Sequence, residues 1–186
     1  MNLIHRRYCR SQRWGGHVSR LLPWATDGVD LTGADVLELG SGPGLTTDWL
    51  APRSGTLTAL EYDETDATSL AARAPAVTVI HGDARSVPLP DASVDVVVCF
   101  TMLHHLPSPA AQDELFAEAA RILRPGGTFA GSDSRFGPLF AIAHIGDTMT
   151  LVDPAGLPVR LRTAGFADVS TDIAGRAVRF RARRPA

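Results

Sequence analysis

VLELGSGPG, residues Val36–Gly44, is an apolar run that carries one acid, Glu38, and then breaks into three glycines at alternating positions. Val36, Leu37 and Leu39 read as a buried parallel strand. Gly40-Ser41-Gly42-Pro43-Gly44 cannot continue it: glycine permits a tight turn, and its missing side chain lets a ligand approach the backbone. The next stretch, LTTDWLA over Leu45–Ala51, has a helical pattern and stops at Pro52. Strand, glycine turn and helix in this order present backbone N–H groups to a nucleotide-like ligand.

The spacing narrows that ligand. A dinucleotide fingerprint, Gly-x-Gly-x-x-Gly, would need its third glycine at the position held by Leu45, whereas the third glycine is Gly44. Working outward, GTLTALEYDE (Gly55–Glu64) reads as a second strand ending in Glu61, 21 residues after Gly40. An acid at that distance can accept hydrogen bonds from ribose hydroxyls. Tyr62 beside it can pack on a flat base. VTVIHGDA (Val77–Ala84) is a third strand that ends in Gly82-Asp83-Ala84. SVDVVVCFTMLHHL (Ser93–Leu106) is a fourth strand with its exit loop. RILRPGGTFAGSD (Arg121–Asp133) supplies a helix end, a Pro-Gly-Gly turn and a fifth strand.

Glu-x-Gly-x-Gly-x-Gly followed by these segments in this order resembles the class I S-adenosylmethionine-dependent methyltransferases, of the small bacterial type 11 kind. The resemblance covers about residues 34–184. It implies an α/β fold: a Rossmann-like, doubly wound, seven-stranded and mostly parallel sheet with an antiparallel last strand inserted beside the fifth. It implies S-adenosyl-L-methionine as cofactor. Gly40, Ser41, Gly42 and Gly44 would pass under its methionine part, and Glu38 would order the loop and the amino group. Glu61 would take the ribose and Tyr62 the adenine face. Asp83 would accept from the adenine amino group, with the Ala84 N–H on the ring. Phe100 and Thr101 would border the methionine end.

The 186-residue chain is long enough for one core. Its formal charge is −2, which argues against a dedicated nucleic-acid binder. All 18 basic residues are arginine, so lysine chemistry is excluded, and with it the Tyr-x-x-x-Lys pair of a short-chain NAD(P) reductase. Cys9 and Cys99 make no disulfide framework, and Cys99 lies in the apolar fourth strand. No apolar run is long enough for a membrane span, and the first ten residues lack the apolar core of a secretory signal. These features lead us to expect a cytoplasmic protein, monomeric or homodimeric, with no nucleic-acid or membrane partner.

Residues 1–33 read as an N-terminal helical segment. Trp14, Val18, Leu21 and Leu22 give a helix over about Gln12–Leu22. Such a segment can fold over the cofactor as a lid, with Tyr8 as a contact. Residues 34–186 form the cofactor-binding domain. Ser108–Leu123 reads as a helix with a serine cap, residues 134–156 as an irregular apolar connection, and Leu157–Phe166 as a short helix. ADVSTDIAG and RAVRFRARR form a closing hairpin.

In such a sheet the ligand lies beyond the carboxyl ends of the strands. The first three ends carry the cofactor residues, so the methyl acceptor belongs at the fourth and fifth, with the apolar 134–156 segment suggesting an apolar or amphipathic small molecule. His104, His105 and Asp133 are the candidate bases there. His144 and Asp147 read more readily as surface loop residues. The place after the fourth strand holds FTMLHH, not the Asn/Asp-Pro-Pro-aromatic motif of amino-methylating DNA enzymes. Neither cysteine adjoins a proline, and Asn2 is the sole asparagine, which sets aside the cytosine-5 and magnesium-dependent catechol types. No His/Cys cluster has zinc spacing along the chain, so no metal is expected. The remaining alternative is a non-catalytic cofactor-binding or scaffold subunit of a biosynthetic complex.

Overall fold

The apolar runs become the middle of a sheet. A computed structural model describes residues 11–186. Along them run α1 (Gln12–Ala25), β1 (Asp35–Leu39), α2 (Leu45–Leu50), β2 (Thr56–Glu61), α3 (Glu64–Arg73), β3 (Thr78–His81) and β4 (Val94–Phe100). Then follow α4 (Pro109–Ile122), β5 (Leu123–Ser134), α5 (Pro138–Ala143), α6 (Leu157–Thr163), β6 (Ala167–Ala174) and β7 (Ala177–Arg183). Short 3-10 turns occupy Ala51–Arg53 and Leu103–His105. The sheet has the order β3-β2-β1-β4-β5-β7-β6. β1 to β5 are parallel, and β7 runs antiparallel between β5 and β6, as the resemblance implies. Strand order reverses between β1 and β4, which opens a crevice at their carboxyl ends.

Alternation along β4 shows why both faces are covered. Val97 and Cys99 face a core with Leu37, Leu39, Phe116, Phe129, Phe166 and Phe180; Val96 and Val98 face a second core with Val36, Leu57, Leu50 and α1. Phe129 sits 4.9 Å from the Phe180 ring and 5.4 Å from that of Phe166, centroid to centroid. Truncating such a buried aromatic costs about 3–5 kcal/mol.

Helix α1 turns Val18, Leu22 and Ala25 onto this second core, so residues 12–25 are built into the domain. It continues to Ala25, beyond the expected end at Leu22, although Pro23 donates no hydrogen bond. The Thr26 N–H and hydroxyl both close on the Leu22 carbonyl and secure the end. Tyr8, the expected lid contact, lies outside the described residues. Helix α4 starts as expected, with the Ser108 hydroxyl accepting from the Ala111 N–H and Pro109 in the first turn.

Pro125-Gly126-Gly127, expected as a turn before the fifth strand, lies inside β5. There the register to β4 shifts between Val94 and Val96, and Gly126 and Gly127 exchange backbone bonds with Arg184. The β4–β5 ladder takes up the irregularity as a bulge, while the β5–β7 ladder keeps its register. No helix among the described residues is long and apolar enough to cross a membrane.

Candidate functional site

At the end of β1 the side chain of Glu38 turns inward and is 1% exposed. It accepts hydrogen bonds from the hydroxyls of Thr46 and Thr47 in the first turn of α2, the latter at 2.5 Å. Burial pushes its carboxyl up to about 7, against the pull of the two hydroxyls and with repulsion from Glu61 and Asp48 adding to the rise. Glu38 thus fixes the turn to the helix that follows, and Thr46 and Thr47 are partners that sequence reasoning missed.

The turn itself is held from β2. The N–H groups of Gly40 and Ser41 donate to the Leu60 carbonyl. Glu61 closes the second strand and accepts from the Gly42 N–H at 2.6 Å and from the Asp63 N–H at 2.9 Å. Burial pushes its carboxyl above the usual range. Gly42 has φ +52°, and a Cβ there would meet nothing within 4 Å. The backbone is therefore bare on the side where a ligand would lie, in a conformation that favours glycine. Beside it the Ser41 hydroxyl is buried and has no hydrogen-bond partner among the described residues. An orphaned buried hydroxyl, an open glycine turn and two acids at adjacent strand ends fit a polar ligand that carries positive charge.

Around this turn the other predicted cofactor residues take different postures. Tyr62 projects from the end of β2 and is 75% exposed. Asp83 lies in the turn after β3, where the Arg85 guanidinium and backbone N–H donate to it, and this holds its carboxyl below the usual range. Ala84 and Phe100 are buried in the two cores. Thr101 has φ +51° and donates its N–H to the Ser132 carbonyl at 2.7 Å, which turns the chain off β4.

The carboxyl ends of β4 and β5 gather histidines. His104 stands on the 3-10 turn after β4 and is 2% exposed. Its Nδ1 lies 2.6 Å from Asp133 Oδ1, and its backbone N–H donates to Oδ2 of the same carboxylate. Asp133 also accepts from the Ser134 N–H, so it is a buried acceptor that orients the ring. A carboxylate only accepts, so His104 carries a hydrogen on Nδ1, and in the neutral ring Nε2 is the acceptor nitrogen. That Nε2 is buried with no hydrogen-bond partner among the described residues. His105 is half-buried, with its ring 4.1 Å from that of His104.

His144, expected at the surface, is buried and joins them at 5.0 Å from the His104 ring, because α5 folds the 134–156 segment back over the turn after β4. Phe140, one turn earlier, lies 4.1 Å from His144 and edge-on to His104 at 5.0 Å. Burial pulls the His144 imidazole below its usual pKa. A gap of 39 residues between His105 and His144 hides this cluster from any reading of local spacing. Gln112, also missed, pins the arrangement: its amide donates to the carbonyls of Leu103 and Thr150, while the Thr150 N–H donates to the His104 carbonyl. Next to Thr150, an open cavity of about 310 Å³ is lined by Arg135, Phe136, Leu151, Val152, Pro154 and Arg176.

Residues 37–131 match the methyltransferase domain family. A probable S-adenosylmethionine-dependent methyltransferase of Mycolicibacterium smegmatis is 44% identical over 97 residues, which are 52% of this chain and 37% of that protein. A ubiquinone biosynthesis O-methyltransferase of Xanthomonas oryzae is 31% identical over 139 residues, 67% of this chain and 54% of that one. The chain thus spans about half the length, or less, of these curated relatives. Among solved structures, a SAM-dependent methyltransferase from Aquifex aeolicus superposes with a TM-score of 0.71 at 18% identity, covering 91% of this chain and 97% of that one; at such identity the likeness is one of fold.

Proposed function

Because this chain belongs to the methyltransferase domain family, within the class I S-adenosylmethionine-dependent enzymes, we propose that it methylates a hydroxyl on a small molecule with S-adenosylmethionine as donor. The observation that carries this reading is the carboxyl edge of the sheet, where Glu38, the Gly40–Gly44 turn and Glu61 adjoin a buried histidine–carboxylate pair across the point of strand reversal. When bound, the cofactor supplies a methyl group already activated by a sulfonium.

The protein's own part is positioning and proton handling. Gly42 leaves its backbone open, and the Ser41 hydroxyl offers an unspent donor. Glu38 orders the turn through Thr46 and Thr47, and Glu61, which accepts from the Gly42 N–H, takes the ribose. Asp83 and Tyr62 take the base. On the acceptor side, Asp133 holds His104 with Nε2 as its lone-pair nitrogen, ready to draw the proton from a hydroxyl as it is methylated. Burial of the pair keeps competing water away. The name of the ubiquinone biosynthesis relative is in keeping with O-methylation.

Calorimetry with S-adenosylmethionine, its demethylated product and NAD, beside transfer of labelled methyl to a panel of hydroxylated acceptors, tests the reading. Binding of the first two and turnover of a hydroxylated acceptor are expected. His104→Ala is expected to lose about 10²–10⁴-fold in turnover while cofactor affinity stays unchanged. NAD binding without S-adenosylmethionine binding, or full turnover in the variant, would overturn it.

A further inference from the structure

The geometry points to a site for a divalent first-row transition ion of the zinc or cobalt class, held by His104, His105 and His144. One ring nitrogen from each residue lies within 4.8 Å of those of the other two. The inference goes beyond methyl transfer and shares His104 and Asp133 with it, but it uses only ring nitrogens and one carboxylate and needs no cofactor.

Three features single these histidines out from a packed aromatic cluster. His104 directs a buried Nε2 that no described residue hydrogen-bonds, and it does so from a residue 2% exposed. Leaving a buried polar atom unmatched is costly, and a bound ion removes the cost. Asp133 on Nδ1 supplies the outer carboxylate that fixes the tautomer and raises the basicity of a ligating imidazole. His144 repeats the arrangement: its Nδ1 lies 2.7 Å from the Phe140 carbonyl, and because a carbonyl can only accept, Nδ1 carries the hydrogen and Nε2 is the coordinating nitrogen. Two of the three ligands are thus turned the same way by second partners of their own.

Imidazole nitrogens suit zinc, cobalt, nickel and copper and discriminate against magnesium and calcium. Three protein ligands leave the fourth position of a tetrahedral ion open, as in sites where an exchangeable oxygen ligand completes the shell. Zn–N bonds of about 2.0–2.1 Å set ligand nitrogens about 3.3 Å apart, so the cluster must contract on binding. His105 is the least buried of the three. Ion and acceptor proton compete for the same lone pair on His104.

The test uses the full chain, stripped with chelator and titrated with Co²⁺ followed by visible absorption, and with Zn²⁺ by calorimetry, both without cofactor. One equivalent should bind, with the intense d–d bands of a four-coordinate site. His105→Ala should weaken binding at least tenfold, and Asp133→Asn about 10–100-fold. His17→Ala and His81→Ala should leave it unchanged. Far-UV circular dichroism identifies variants that keep the fold, and His105→Ala, altered at a half-buried position, remains decisive if a change at His104 unfolds the chain. Absence of stoichiometric binding, or binding that persists in a folded His105→Ala/His144→Ala double variant, would overturn the proposal. Cofactor affinity measured on the same samples separates that failure from a failure of the methyl-transfer reading.

Discussion

Replacing Glu38 by glutamine keeps the shape of the side chain and removes its titration. In the native protein burial raises the Glu38 carboxyl from 4.5 to about 7, with Glu61 and Asp48 adding repulsion. The folded state therefore holds this proton more tightly than the unfolded chain does. Below about pH 4.5 both states are protonated and the contribution is fully present; as pH rises through about 7 it is lost. The loss amounts to about 3 kcal/mol, from the 1.36 kcal/mol that each pKa unit represents. Glu38→Gln has no such slope. Its stability relative to the native protein should rise by about 3 kcal/mol between acid and mildly alkaline solution, or by about 6–12 °C in Tm for a domain of this size. Any fixed penalty from rearranged bonds to Thr46 and Thr47 is the same at every pH and drops out of the slope. Guanidinium unfolding of both proteins from about pH 4 to about pH 8 at constant ionic strength measures it. A stability difference that does not change with pH would refute the reasoning and show that the carboxylate is stabilised by its hydroxyl partners as fully as by water.

Asp83→Ala should weaken S-adenosylmethionine binding by about 1–3 kcal/mol in calorimetry, the usual cost of losing a hydrogen bond to a charged group; unchanged affinity in a folded variant would confine Asp83 to its pairing with Arg85. Gly131→Ala should destabilise the fold by about 3 kcal/mol in denaturant, since its Cβ would stand 2.1 Å from the Cys99 carbonyl oxygen and 2.7 Å from the Phe180 ring; an unmoved midpoint would mean that β4 and β5 can separate freely. Phe140→Ala should change acceptor turnover and leave cofactor affinity intact, because its ring packs on His104 and His144 at the ends of the fourth and fifth strands. Loss of cofactor affinity with an unaltered acceptor profile would place the acceptor elsewhere.

Strand ends were the legible part of the sequence. Apolar runs that stop at Gly40, Tyr62, Asp83 and Thr101 carry their own punctuation, so the sheet and the edge that holds the candidate ligand residues follow from period and turn chemistry. The alternation of Val178, Phe180 and Ala182 with three arginines placed β7 in the same way. Partnerships were not legible. Nothing local in LHH marks His104 as the buried member of a pair with Asp133, 29 residues on, and nothing marks His144 as their neighbour. The first contact arises when β5 pairs with β4, and the second when the irregular 134–156 segment packs down, both decided by tertiary fit. The Pro-Gly-Gly segment is extended and not a free turn for the same reason, because its bonds go to Arg184, just past β7 and far along the chain.

The sheet closes out of sequence order. β7 lies between β5 and β6, so on the ribosome β5 is made with no partner on one flank and stays so until residues 177–183 have emerged. Until then β6 has no neighbour to pair with, and the apolar inner face that Phe180 later covers is open to solvent. The nascent chain is thus most exposed to edge-to-edge association late in synthesis, and a stalled or shortened product ending before Ala177 would be a substrate for chaperones and proteases although it already contains the Gly40–Gly44 turn, His104 and Asp133.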